Sequence, residues 1–154
     1  MCFKININGI DVKLNIQNYK LDNRDDFSDW CRCDFSLTSG NWLNYYVEDD
    51  ELLLSSEVDE LEKNLTLLLE NKFLDVVLMP CIEPDFCFIF NPQKDLREDP
   101  KYTNVAHGYE IEDIYLEWRI YFWNDGLTDN FLNLRFNRDE IIKFRDYLSD
   151  VRNL

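Results

Sequence analysis

Apolar and polar positions alternate from Phe3 to Gln17, broken only by Asn8-Gly9. Phe3, Ile5 and Ile7, then Ile10, Val12, Leu14 and Ile16, share one side of a period-two pattern. Asn-Gly suits a type I′ turn, whose twist matches the flanking strands, so this stretch predicts a hairpin with that side facing the core. Residues 18–29 are polar and predict a connecting loop. Alternation resumes over Trp30–Thr38, turns at Ser39-Gly40 and returns over Asn41–Val47, giving a second hairpin. Leu52–Leu54 reads as a short strand. The period then changes. Val58, Leu61, Leu65 and Leu68 recur at helical spacing, with Glu57, Glu60 and Lys63 off that stripe. Ser56 as N-cap with Asp59 three residues on predicts the start of a helix over about 57–71.

Leu74–Ile82 and Phe86–Phe90 predict strands turning on Glu83-Pro84-Asp85. Both faces of these strands are apolar, which predicts a central position in a sheet, or one under a helix. Residues 91–109, punctuated by Pro92, Pro100 and Gly108, predict a long loop. Ile114, Leu116, Trp118, Ile120 and Phe122 mark one face of a long strand, with Tyr115, Glu117, Arg119, Tyr121 and Trp123 on the other. Asn124-Asp125-Gly126 turns it into Phe131–Phe136. Asn137 with Glu140 forms a capping box opening a helix over about 138–151, which buries Ile141, Phe144, Leu148 and Val151. Tight turns between consecutive strands make pairing antiparallel. The expected fold is α+β, a mostly antiparallel β-sheet of about seven to eight strands with two main helices, as a single domain over 1–154.

Composition narrows the function. The 154 residues carry 31 acids against 16 bases, a formal charge of −15. Nucleic acid and anionic membranes both require a basic footprint, so neither is an expected partner. No apolar run approaches the roughly 20 residues of a membrane helix, and the N-terminus lacks the apolar block of a signal peptide, so a cytoplasmic chain is expected. Five cysteines without repeated spacing suit reduced thiols acting as small hydrophobes better than a disulfide framework or zinc knuckles. Asp22, Asp25, Asp26 and Asp29 lack the order of a calcium loop, since Arg24 sits at a ligand position.

Catalytic signals are weak. The four glycines, at 9, 40, 108 and 126, are isolated at turns and build no phosphate cradle. The lone histidine, His107, falls in the long loop, and nothing singles out a pair among the carboxylates. No catalytic residue, metal ligand or cofactor is assigned. Binding is the stronger reading. The acidity is local: Glu48, Asp49, Asp50, Glu51, Glu57, Asp59, Glu60 and Glu62 run without one Lys or Arg among them. A solvated face is the ordinary meaning of such a run. Trp42, Tyr45 and Tyr46 precede it, of types that carry interface energy and that also favour strands.

Several short elements together resemble the WapI family of immunity proteins. They are Asp29-Trp30, Phe35-Ser36, Gly40-Asn41-Trp42, Leu54-Ser55-Ser56-Glu57-Val58, and Ile82-Glu83-Pro84-Asp85-Phe86-Cys87-Phe88. Arg138-Asp139-Glu140-Ile141-Ile142 opening a terminal helix is similar too. The match covers roughly residues 25–151, and the 91–109 loop departs from the family pattern. The resemblance implies a cytoplasmic, non-enzymatic protein encoded beside a polymorphic toxin and neutralising its toxin domain. On that reading the partner surface comprises Trp42, Tyr45, Tyr46, Glu48, Asp49, Asp50, Glu51, Glu57, Asp59, Glu60 and Glu62, facing a basic toxin such as a nuclease. Two alternatives stay open. One is a regulatory binding module without a toxin partner, and the other a small hydrolase using Cys31, Cys33 or His107.

Overall fold

A computed structural model describes residues 1–20 and 29–154. Asp22, Asp25 and Asp26 of the polar loop lie outside the described residues. The fold is α+β, with two helices and antiparallel strands. The first sheet has the order β1-β2-β3-β4: β1 Phe3–Ile7, β2 Ile10–Gln17, β3 Arg32–Ser39 and β4 Leu43–Asp50. After α1, Ser55–Leu69, come β5 Val77–Pro80 and β6 Phe86–Asn91, then β9 Tyr115–Trp123 and β10 Leu127–Phe136, in a second sheet ordered β10-β9-β6-β5. Between β6 and β9 lies a two-stranded ribbon, β7 Lys94–Asp95 with β8 Ile111–Glu112. The C-terminal helix α2 is Arg138–Arg152.

The first hairpin forms as its dipeptide demands: Asn8 and Gly9 have φ of 51° and 91°, and Ile7 pairs with Ile10. The inner faces of the two sheets meet through aromatic rings. Phe35 of β3 lies 4.9 Å from Phe86 and 5.4 Å from Trp118. Phe144 of α2 stacks on Trp118 at 5.2 Å and on Phe3 at 4.9 Å, joining the helix to both sheets. The stripes Val58, Leu61, Leu65, Leu68 and Ile141, Phe144, Leu148, Val151 are buried as expected, and Tyr147 joins the second, its hydroxyl accepting Ile16 N–H at 2.8 Å. The capping box at Asn137 and Glu140 is present, at 3.0 and 2.9 Å.

Four expectations need correction. Among the described residues ten strands divide into two four-stranded sheets and a two-stranded ribbon, rather than one sheet of seven to eight. β5 is an edge strand and shorter than the expected Leu74–Ile82: Leu74, 93% exposed, and the exposed Val76 and Ile82 fall outside it, and Leu78 within it is exposed too. Of the two strands expected to be central, β6 is and β5 is not. Helix α1 begins two residues early, with Leu54 as N-cap, because Glu57 rather than Asp59 reaches back to the cap N–H. The long loop is partly ordered by the β7–β8 ribbon and a 3-10 turn at Leu96–Glu98, in which the Asp95 carboxylate accepts Arg97 N–H and the Glu110 carbonyl accepts Leu96 N–H.

Candidate partner-binding cleft

The acidic end of β4 does not stand alone. β4 carries Tyr46, Glu48 and Asp50 along the open edge of the first sheet. The fold brings the Glu83-Pro84-Asp85 turn and Trp123, at the end of β9, against it. Between them is an open cleft of about 610 Å³, whose walls include Glu48, Asp50, Glu51, Glu83 and Asp85 with Tyr45, Tyr46 and Trp123. Among the described residues no basic side chain lines it.

Asp85 is the most constrained of these carboxylates. It is only 4% exposed, and its Oδ2 accepts the Trp123 Nε1–H at 2.7 Å. Its carbonyl accepts Tyr121 N–H at 2.8 Å, which ties the turn to β9. Burial pushes its carboxyl up to about 6, and Glu83 and Asp50 push the same way, against the Trp123 hydrogen bond. A neutralising positive charge would reverse that cost.

The turn is held from behind by Glu57. That carboxylate is 6% exposed and accepts Leu54 N–H at 3.0 Å and Ile82 N–H at 2.8 Å. Burial raises its pKa, while the two backbone donors lower it. Glu57 therefore belongs to the interior, off the exposed rim on which the sequence placed it.

Other predicted partner residues also find internal company. Asp49 sits at a β-bulge with φ 46°, and Arg32 donates to it and to Glu51 at 3.0 and 3.2 Å. On α1, Asp59 and Glu62 both face Arg152 of α2, and Asp59 also accepts the Tyr19 hydroxyl. Glu60 is exposed on the same helix. Trp42 is 68% exposed at the β3–β4 turn, outside the cleft; Tyr46 is 60% exposed within it, and Tyr45 packs edge-on against Phe122 at 5.0 Å. The run that looks continuous in sequence is thus two groups. One is the β4 rim with the cleft, the other a helix face locked to α2.

A match to the WapI-like immunity protein family spans residues 2–153. The chain belongs to that family. Membership of the WapI-like family implies toxin neutralisation through a protein partner, and immunity proteins are in general not enzymes. A comparison with curated proteins returns no match.

For this WapI-like protein, thiol chemistry finds little support. Burial pushes Cys31 up to about 11 and Cys33 up to about 12, the reverse of what a nucleophilic thiolate needs. His107 is fully exposed, 3.3 Å from Glu110. Among the described residues no group of three His, Cys, Asp or Glu is arranged to hold a metal ion. No helix among the described residues is long and apolar enough to cross a membrane. Sequence reasoning missed Glu83, Asp85 and Trp123 as members of the cleft. The Glu-Pro-Asp turn was visible as a turn, and Trp123 as outward-facing, but nothing local relates either to β4.

Proposed function

We propose that this chain neutralises a basic toxin domain by receiving a positively charged part of it in the cleft between β4 and the Glu83–Asp85 turn. The supporting observation is a row of carboxylates, one of them forced towards neutrality by burial, facing aromatic rings with no cation among the described residues of the cleft walls. Such an array is incomplete without a cationic guest. Lys or Arg would gain ion pairs and ring contacts there together. A nuclease fits this description, since a nucleic-acid groove must be basic. Trp42, exposed near one end of β4, and Glu60 extend the contact outside the cleft. The system belongs, on this reading, to contact between bacteria that exchange polymorphic toxins, with the immunity protein acting in the cytoplasm.

The test uses the toxin domain encoded beside the gene. Coexpression should restore growth, and the two chains should copurify. Replacing Glu48, Asp50, Glu51 and Glu83 by Lys should slow association by about 10- to 100-fold at low salt and flatten its salt dependence. Unchanged association at low salt would sink the cleft as the contact surface.

A further inference from the structure

Hydrogen bonds elsewhere in the first sheet fix which backbone groups of β4 are free. Ile16 N–H is given to the Tyr147 hydroxyl, so the Ile16–Cys33 pair of β2 and β3 exchanges no bonds. Cys33 therefore turns its own N–H and C=O away from β2. Alternation carries that direction to Phe35 and Leu37, whose partners on β4 are Val47 and Tyr45. Ser39 C=O, which accepts Trp42 N–H at 3.3 Å, points the same way. Val47 and Tyr45 thus face β3. Tyr46 and Glu48 turn N–H and C=O to the open edge, and both line the cleft.

The other sheet edges are poorer templates. β1 has five residues and β5 four, and β5 ends on Pro80, which has no N–H. β10 is interrupted by a bulge between Leu127 and Phe131. β4 has eight residues and no proline, and its own bulge, at Asp49, falls near its end, leaving Leu43–Glu48 as regular edge. A long open edge invites pairing, and proteins guard such edges with charge. Here the guard is all acidic: Glu48, Asp49 and Asp50. Two β4 edges brought together would set these against their own copies, which disfavours self-association. The same charges favour a strand bearing Lys or Arg. Side chains of an added strand alternate between faces, so one set would meet Glu48 and Tyr46, the other Glu83, Asp85 and Trp123.

We infer that the free edge of β4 takes a basic, extended segment of a protein partner as a fifth strand of the first sheet, bonded to the backbone of Tyr46 and Glu48. This rests on the reading of the cleft as the partner site, and adds the conformation and chemistry of what enters it.

The probe is a capped octapeptide of alternating Lys and Val, added to the full chain. At saturation, amide hydrogen exchange of Tyr46 and Glu48 should slow, with little change along β5 or β10. The same peptide N-methylated throughout keeps its charge but cannot donate, and should bind more than about tenfold more weakly for loss of several backbone hydrogen bonds. A Glu–Val octapeptide should not bind, and the E48K/D50K chain should lose the Lys–Val peptide. Equal affinity for the methylated peptide, unprotected Tyr46 and Glu48 amides, or no binding at all would each overturn the inference. A toxin domain neutralised while these two amides still exchange freely retains the cleft reading and discards the strand. A peptide that pairs with a chain unable to neutralise its toxin does the reverse.

Discussion

Replacing Asp85 by asparagine removes a charge while leaving an acceptor for Trp123 Nε1–H. The carboxyl rises from an ordinary 3.8 to about 6, so the folded chain holds this proton roughly a hundredfold more tightly than the unfolded chain. That corresponds to at most ~3 kcal/mol. Asp85 borders an open cleft, and solvent there screens it, so about 1–1.5 kcal/mol is the expected cost of the ionised form. The sign is the reverse of an ion-paired carboxylate. Stability falls as pH rises from about 4 to about 6, and stays lowered above that. D85N should therefore be more stable than the wild type at pH 7.5, raising Tm by about 2–5 °C, and should show no gain near pH 3.5. Urea titrations followed by circular dichroism at both pH values read this directly. The same variant should bind a basic partner more weakly. A D85N chain that is less stable at pH 7.5, or stabilised equally at both pH values, would refute a burial cost at this position.

Three further expectations follow from particular contacts. Glu57→Ala leaves the Leu54 and Ile82 N–H groups without their acceptor and should cost about 2–4 kcal/mol in urea unfolding, with E57Q costing less because one acceptor oxygen survives. Arg152→Met keeps most of the side chain's apolar stem but removes the cation facing Asp59 and Glu62; a loss of about 1 kcal/mol, shrinking in high salt, is expected for this partly exposed cluster. In the native state a thiol reagent should modify Cys2 first and Cys87 slowly. Cys31, Cys33 and Cys81 should react only on unfolding, as shown by their appearance at the urea midpoint.

What was legible in the sequence was what is decided over a few residues. Asn8-Gly9 requires left-handed backbone at both positions, and the structure supplies it. Asn137 and Glu140 cap each other within one turn, and the stripes of both helices point inward because helical periodicity alone determines which positions share a face. β5 shows the limit. Leu74, Val76 and Leu78 look like core by type, yet the first two precede the strand and only the strand order reveals that Leu78 stands at an edge. Glu57 and Asp85 show it more sharply. Both are acids in acidic surroundings, and whether such a side chain faces water depends on N–H donors from Ile82 or Trp123. The cleft is non-local in the same way, since β4, the turn before β6 and the end of β9 are far apart in the chain. Likewise Arg32 and Arg152, which engage four of the acids, lie outside the acidic run itself.

The bond from Ile82 N–H to Glu57 has a consequence for how such a protein diversifies. It is made to main chain, so it does not depend on which side chains occupy positions 82 to 85. The front of that turn can therefore change charge, size or shape while its path is still fixed from behind. Specificity for a new toxin can then arise by substitution at the rim, without re-optimising the core beneath it, provided the Glu57 carboxylate is kept.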